Sequence, residues 1–342
     1  MPAPTLWDVA TLAGVSDATV SIALSNKVTT RVSAKKRLEI LNIAKKIGYV
    51  PNAVAKALAE RRTRLLGLMV PLRDPIFSNQ FMVQALSGIQ STLMRRGYNL
   101  LVYSPSGYPG LATSDRILET KFTDGLIFIN TRSCSTSDVN ETIRELDAAG
   151  IKFAMINSYY GRASINYVGV DDFALGKAAA HHLLDRGHKH FAFLSGFQTQ
   201  PAHIHLLRGM KRAVSERGLS FAPENVGCTN YDRQQAFEVI DKWLNFKQQR
   251  PTAIFCADEQ VLIYLYEYAE IRSLSLPQDM SVLGRGNSEF ISLLRPHPTA
   301  FSIPTFGMGE LAADMLIDSI EKLVTTRRRV LLPFEFCQGQ TT

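Results

Sequence analysis

Hydrophobic periodicity divides this chain into two parts near residue 64. Before that point, apolar residues recur at helical spacing, whereas beyond it short continuous apolar runs alternate with amphipathic helical stretches. The apolar runs are predicted strands, and they span 65–70, 99–103, 124–129, 152–156, 190–194, 252–256 and 280–283. Helical stretches between them include 80–96, 173–186 and 260–271. Because continuous apolar strands are buried on both faces, we expect an α/β architecture with parallel sheets.

These strands fall into two clusters, one before residue 157 and one after residue 189. The clustering predicts a body of two doubly wound lobes, with a ligand crevice at the carboxyl ends of their strands. No apolar run reaches the roughly 18 residues that a membrane span needs. The N-terminus lacks the basic and apolar segments of a signal peptide, so we expect a cytoplasmic protein without a membrane partner.

The first 25 residues have the pattern of a helix-turn-helix. Thr5 and Asp8 form a predicted capping box, and Gly14 stands where the chain must turn sharply. Ser16 is the predicted cap of the second helix. A third helix follows the cap Ser33, and we expect its core positions to be Leu38, Ile40, Leu41, Ala44 and Ile47. This part of the chain is therefore predicted to be a small all-α head.

Charge is segregated in the same way. Residues 1–64 hold 11 of the 38 Lys and Arg residues but only 4 of the 31 Asp and Glu residues, while the remaining 27 basic and 27 acidic residues balance. The whole net charge of +7 therefore lies in the head. A small basic head on a neutral body is typical of a nucleic-acid-binding module joined to a domain with another task.

Particular residues give the head a resemblance to a known family. The strings LWDVA at 6–10, AGVS at 13–16, TVS at 19–21 and GYVPNAVA at 48–55 resemble the DNA-binding head of the lactose-repressor (LacI) family of bacterial transcription regulators. Looser similarity continues through the body, for example in DGLI at 124–127 and PTAIF at 251–255. The resemblance implies a body like that of periplasmic sugar-binding proteins, which dimerises and closes around a small effector.

In that family the second helix reads the major groove, and a short hinge helix places a Leu in the minor groove of operator DNA. Carried over, the wedge is Leu58 in a hinge helix over 53–59 that Asn52 caps. The resemblance implies DNA contacts from Thr5, Leu6, Ser16, Asp17, Ala18, Thr19, Ser21, Ile22, Asn26, Lys27, Asn52, Ala55 and Leu58. Relatives often carry Lys, Arg, Gln or Tyr at the base-reading positions, so Asp17, Ala18 and Ile22 predict an unusual operator.

The effector chemistry departs further from the family. Relatives commonly carry Arg where this chain has Leu206, and an aromatic-Asp-Asp sequence where it has residues 285–287, Arg-Gly-Asn. We expect the cleft to be lined by Phe81, Asp171, Gln200, His205, Tyr231, Asp258 and Asn287. Alternatively, Asp258 only caps the helix that follows it, and His205 lies on the surface. The ligand class stays open among a sugar, a sugar phosphate or acid, another molecule, and no effector.

We therefore predict a helix-turn-helix domain over 1–50, a hinge and linker over 51–64, and a two-lobed effector-binding and dimerisation domain over 65–342. The expected first lobe comprises about 65–162 and 289–323, and the second about 163–288 and 324–342. The predicted function is a homodimeric regulator, a repressor in the usual family mode, that binds a two-fold symmetric operator in double-stranded DNA under control of a carbohydrate effector.

Two other classes of protein were weighed against this function. An exported solute-binding protein would explain the body but not the basic head. An enzyme would need a nucleophile, metal set or phosphate loop, and the chain shows none of the sequence motifs for these. We accordingly expect no catalytic residue, no metal and no cofactor.

Overall fold

The computed structural model describes residues 4–24, 31–52, 55, 57, 62–69, 79–103, 122–130, 136–159, 161, 164–286 and 289–342. The chain divides into two compact units, a head, Met1–Thr63, and a body, Arg64–Thr342. Among the described residues, no helix combines the length and the apolar character that crossing a membrane requires. The predicted fold class, an all-α head followed by a two-lobed α/β body, is confirmed.

The described part of the head contains three helices, α1 (Leu6–Ala13), α2 (Asp17–Leu24) and α3 (Ala34–Ile47). They enclose a small core of Val9, Ala10, Ala13, Val20, Ala23, Ile40 and Ala44. Small side chains dominate this core because the helices cross at short distance. Two of the apolar residues predicted for the core, Leu38 and Leu41, are instead 61% and 42% exposed, because they face away from α1 and α2.

The predicted helix ends of the head are confirmed. The Thr5 N–H donates to Asp8 Oδ2 at 2.7 Å while the Asp8 N–H donates to Thr5 Oγ1, which completes the capping box. Ser16 and Ser33 accept from backbone N–H groups in the same way at the starts of α2 and α3. Gly14 ends α1 with φ +62°, a left-handed conformation that only glycine adopts without strain. The start of each head helix is therefore specified by contacts three residues apart.

The body contains twelve strands among the described residues. They are β1 (Leu65–Met69), β2 (Asn99–Tyr103), β3 (Gly125–Ile129), β4 (Phe153–Ile156), β5 (Asn166–Gly169), β6 (Phe191–Ser195), β7 (Val226–Cys228), β8 (Ala253–Cys256), β9 (Ser281–Arg285), β10 (Thr299–Ser302), β11 (Arg329–Leu331) and β12 (Glu335–Cys337). The described helices of the body are α4 (Gln80–Arg96), α5 (Thr136–Ala148), α6 (Asp172–Asp185), α7 (Pro201–Glu216), α8 (Arg233–Leu244), α9 (Glu259–Ile271), α10 (Glu289–Leu293) and α11 (Thr305–Ile320).

These strands form two sheets of six within the described ranges, in the orders β11-β5-β4-β3-β1-β2 and β12-β10-β9-β8-β6-β7. Every pair is parallel except β10 with β12, which is antiparallel. The central strands β3, β4, β6 and β8 are buried along their whole length. Their burial explains the continuous apolar runs in the sequence.

The chain crosses between the lobes at different points from those expected. Residues from about 163 onward are expected in the second lobe, but β5 lies in the first sheet, where it pairs with β4. Residues 289–302 are expected in the first lobe, but β10 lies in the second sheet, where it pairs with β9. Residues 324–342 were assigned to the second lobe, but β11 lies in the first sheet, where Val330 pairs with Val168 of β5. Only β12 and the residues after it return to the second lobe, since β12 completes that sheet's edge. The strands that set these crossings have only three or four residues each, and strands this short carry little periodic signal.

Each lobe is joined internally by a reciprocal pair of glycines at a helix crossing. In the first lobe, a Cβ on Gly88 of α4 would overlap the carbonyl of Phe306, and one on Gly309 of α11 would overlap the carbonyl of Ala85. The second lobe repeats this arrangement with Gly176 of α6 and Gly209 of α7. Backbone meets backbone at both crossings, so these helices cannot approach as closely with any larger residue.

Candidate nucleic-acid interface and ligand cleft

The second head helix, α2, presents a face without a cation. Asp17, Ala18 and Ser21 are exposed and Ile22 is half-buried, whereas Val20 and Ala23 on the opposite side are buried in the head core. The residues predicted to read bases therefore lie together on the outer side of one helix. That face offers a carboxylate acceptor, a hydroxyl and two apolar surfaces. These groups suit cytosine amines and thymine methyls rather than the acceptors of guanine.

The other residues predicted to contact DNA have mixed surroundings. Thr5 and Ser16 are exposed caps, Thr19 is half-buried with its hydroxyl 3.0 Å from that of Ser16, and Leu6 packs against the head core. Asn26 and Lys27 lie outside the described residues. The hydroxyls stand at the helix N-termini, where backbone N–H groups favour a phosphate.

Two cations of α3 serve the head itself. The Lys36 ammonium donates to the carbonyl of Ala13 at 2.7 Å, and Arg37 Nε donates to the carbonyl of Ala23 at 3.0 Å. These carbonyls end α1 and α2, where the helix dipole is negative and carbonyl groups lack helical partners. Part of the basic character of the head therefore stabilises its fold.

The predicted hinge is described only in part. The Asn52 side chain accepts from the Ala55 N–H at 3.3 Å, so the predicted cap is present, and Ala55 and Ala57 are helical. Leu58, the predicted minor-groove wedge, lies outside the described residues. Its role stays a prediction.

A cavity of about 170 Å³, with both polar and apolar side chains in its wall, lies in the body between the two lobes. Its lining comes from the carboxyl ends of strands and the first turns of the helices that follow them. The lining residues are Asn79, Gln80, Phe81, Gln84, Asn157, Gln200, Ala202, Tyr231, Asp258, Glu259, Gln260, Ile263, Arg285, Gly286, Ile303 and Thr305. This is the location expected for ligands in doubly wound folds.

Four of the seven residues predicted for the cleft lie in this lining, namely Phe81, Gln200, Tyr231 and Asp258. Asp258 also accepts from the Val261 N–H at 3.1 Å, so it both caps α9 and faces the cavity. Asn287 lies outside the described residues.

The remaining two predicted residues are placed elsewhere. Asp171 is not among the lining residues; its carboxylate accepts from the Ala174 N–H at 2.9 Å and caps α6. His205 is half-buried on α7 and is likewise absent from the lining; burial, followed by the charge of Arg208, lowers its pKa.

Tyr231 is held in the cleft by an unusual turn. Its backbone and that of Asn230 are left-handed, with φ of +59° and +48°. The Tyr231 hydroxyl donates to Gln200 Oε1 at 3.2 Å, and its ring occupies the space that a side chain at Gly196 would fill. Strained backbone of this kind clusters at binding sites, where the surrounding structure maintains it.

A buried ion pair lies beside the cavity. Arg285 Nη2 donates to Asp172 Oδ1 at 2.9 Å, and the two side chains are 8% and 0% exposed. Asp172 Oδ2 also accepts from the Ser158 hydroxyl, and Arg285 Nη1 reaches the carbonyl of Ala257 at 3.4 Å. In the sequence, Arg285 is visible only as a departure from the family at 285–287, because its contact with Asp172, 113 residues away, leaves no local signal.

A second buried polar group lies deeper in the same lobe. The His203 ring packs against Phe193 at 5.0 Å, and its Nδ1 is hydrogen-bonded to the Ser195 hydroxyl. Burial lowers the pKa of His203 to about 4, with a further contribution from the charge of Lys211. The described part of the chain brings no three His, Cys, Asp or Glu side chains together in a way that could hold a metal ion.

Known proteins resemble this chain both in the head and in the body. Residues 5–52 match the model for bacterial regulatory proteins of the lacI family, and residues 180–342 match that for a periplasmic binding protein-like domain. Catabolite control protein A of Priestia megaterium is 28% identical over 99% of both chains. The lac repressor dimer bound to operator and the anti-inducer ONPF superposes with a TM-score of 0.84 at 23% identity, over 99% of both chains. The regulator CelR in complex with cellobiose gives a TM-score of 0.70 at 24% identity, over 99% and 100% of the two chains.

Proposed function

Because this chain belongs to the LacI family of bacterial regulatory proteins, we propose that it is a repressor whose operator affinity is set by a small polar effector. It is a DNA-binding transcriptional regulator with an effector-binding body. The observation that carries the proposal is the presence, in one chain, of an exposed helix-turn-helix face and a polar cavity between two lobes. The function needs binding alone, so it includes no catalytic step, and it is exerted on DNA in the cytoplasm.

The effector we propose is a carbohydrate. Six amide side chains line the cavity and can both donate to and accept from hydroxyl groups: Asn79, Gln80, Gln84, Asn157, Gln200 and Gln260. Phe81 and Tyr231 add aromatic surface from opposite lobes for the face of a sugar ring. A cavity of about 170 Å³ is similar to the roughly 150 Å³ that accommodates a benzene ring, so a small ligand fits it. CelR, which has this fold, binds cellobiose.

The chain acts as a homodimer in this proposal, with one head on each half of a two-fold symmetric operator. Effector binding moves the lobes and displaces the hinge helices around Ala55 and Ala57, so that Leu58 leaves the minor groove. A coupling of roughly 1–3 kcal/mol between effector and DNA is typical of such a switch.

Selection of bound duplexes from a random pool, with the full-length chain, tests this function. We expect enrichment of a two-fold symmetric site with a flexible pyrimidine–purine step at its centre. Absence of an enriched site would refute sequence-specific regulation. The selected duplex then serves as the probe for effectors, because an effector must change the affinity of the chain for it.

A further inference from the structure

The cavity contains a hydrogen-bond donor whose partner is missing. Arg285 lines the cavity, and no acceptor among the described residues reaches its Nε–H, although the side chain is 92% buried (8% exposed). A buried donor without a partner costs about 1–3 kcal/mol, so such groups in native proteins have a reason to persist. The most direct reason in a ligand cavity is that the ligand supplies the acceptor.

The orientation of Arg285 is set by contacts on its other nitrogens. Asp172 accepts from Nη2 and Ala257 accepts from Nη1, so each of the two terminal nitrogens has an acceptor. The planar guanidinium has five N–H donors in a fixed geometry, and these two contacts leave the buried Nε–H without an acceptor among the described residues. Asp172 is in this sense a positioning residue, because it holds Arg285 without facing the cavity itself.

The charges around the cavity limit the kind of acceptor. Asp172 offsets the charge of Arg285, while Asp258 and Glu259 add two further carboxylates to the lining. The charges that the described residues bring to the cavity are thus negative overall, and they would repel a phosphate or carboxylate on the ligand. An uncharged oxygen, from a hydroxyl, ring ether or carbonyl group, meets no such repulsion.

We propose that Arg285 determines the specificity of the effector site, by donating its Nε–H to an uncharged oxygen of the effector, and that the site excludes phosphorylated ligands. This inference rests on the proposed function, and it narrows the class of effector. It also gives the ligand a route to the other lobe. Asp172 is bonded both to Arg285, at the end of β9 in the second sheet, and to Ser158, which follows β4 in the first sheet.

Thermal unfolding of the full chain provides the test, with ribose, glucose and cellobiose as uncharged probes and ribose 5-phosphate and glucose 6-phosphate as their charged counterparts. We expect at least one uncharged probe to raise the Tm of the wild type, and its phosphate to do so less or not at all. The substitution Arg285→Lys keeps the charge beside Asp172 but removes the Nε donor, so the affinity for that probe should fall about tenfold or more.

Arg272→Lys is the matched control, because Arg272 also pairs with a carboxylate, Asp241, but on the surface away from the cavity. Its affinity for the probe should equal that of the wild type. If Arg285→Lys does not fold, the double variant Asp172→Asn/Arg285→Met replaces it, since removing both charges of a buried pair is tolerated better than removing one.

The outcomes separate this inference from the proposed function. Undiminished binding by Arg285→Lys, or tighter binding of a phosphate than of its parent sugar, overturns the role of Arg285 while effector binding stands. Failure of every probe to raise the Tm of the wild type counts against the carbohydrate effector itself, and the inference falls with it.

Discussion

The contacts that stabilise the head and the contacts that stabilise the body join residues at very different separations along the sequence. In the head, the capping contacts of Thr5, Ser16 and Ser33 each join residues three apart. In the body, Ser91 of α4 bonds Glu310 of α11, 219 residues later, and the cavity is lined by residues from Asn79 to Thr305. A local motif therefore describes the head almost completely, whereas the cleft depends on packing between distant segments.

The largest loss of stability should come from disturbing one of the helix crossings that join distant segments of the body. Gly309→Ala places a methyl group against the carbonyl of Ala85, so α4 and α11 must separate. We expect the free energy of unfolding of the body to fall by about 3 kcal/mol. The measurement is denaturant unfolding followed at Trp243, which is 1% exposed, in a Trp7→Phe background that leaves one tryptophan in the chain.

Gly307→Ala is the matched control, because it lies in the same helix with its nearest neighbour, Leu332, at 3.9 Å. Alanine is preferred over glycine in a helix by up to about 1 kcal/mol, so this variant should be neutral or more stable. Equal destabilisation by both substitutions would show that the crossing does not depend on the absence of a side chain.

The second largest effect is expected from acid, which should lower the stability of the body more than that of the head. The body holds all seven histidines of the chain, and burial lowers the pKa of His203 to about 4. In the unfolded chain His203 has a pKa near 6.5, so between about pH 6.5 and 4 it binds a proton there but not in the folded chain. The body should therefore lose stability as the pH falls from about 6.5 to 4, by at most about 3 kcal/mol from His203. His182, whose pKa burial also lowers to about 4, adds to the same trend.

The head should not share this acid sensitivity. Its carboxylate Asp8 has a pKa lowered by hydrogen bonds from Thr5, so that stabilisation is lost only as the pH falls below the usual range of an aspartate. Unfolding at a series of pH values, followed separately at Trp7 and Trp243, measures the difference. His203→Gln should flatten the pH dependence of the body, while His297→Gln, outside the buried core, should leave it nearly unchanged. Identical slopes for these two variants would contradict the role of His203.

The difference between local and long-range contacts also explains which elements could be predicted from the sequence. All seven strands identified from continuous apolar runs are present, and their bounds differ from the predicted ones by at most two residues. Five of the twelve strands in the described ranges escaped detection. The strands β5 and β10 have four residues each, whereas β7, β11 and β12 have three each and lie at sheet edges, and β12 is exposed throughout. Edge strands this short owe their existence to pairing with a neighbour, which leaves no periodic signal in their own residues.

The cleft illustrates a second limit. The carboxyl ends of strands could be located from the sequence, and Tyr231 and Asp258 follow from that reasoning. The direction of each side chain at those strand ends could not be located from the sequence. Asp171, for example, accepts from the backbone of its own helix and is not in the lining. Arg285 was undervalued for the converse reason, since its distant partner Asp172 is what holds it at the cavity.

A smaller effect on stability is expected from removing a charged side chain that forms a hydrogen bond within the head. Lys36→Met removes the donor to the carbonyl of Ala13 and should lower the stability of the head by about 1–2 kcal/mol. Lys35→Met removes the same charge from an exposed neighbouring position and should change stability by less than about 0.5 kcal/mol. Thermal unfolding at Trp7 compares the two variants. An equal loss in both would mean that net charge, rather than the bond to α1, is what matters.

The smallest change in stability is expected at Asp17, where the consequence lies in recognition. Asp17 is exposed on α2, so Asp17→Ala should alter the stability of the head by no more than about 0.5 kcal/mol. Because Asp17 is placed to accept from a base rather than to contact phosphate, selection from a random pool should yield a different preferred base at one position of each half-site, with little change in the salt dependence of binding. Glu39→Ala removes the same charge from α3 and should leave the selected sequence unaltered. A preference unchanged by Asp17→Ala would remove this carboxylate from base reading and leave recognition to Ala18 and Ile22.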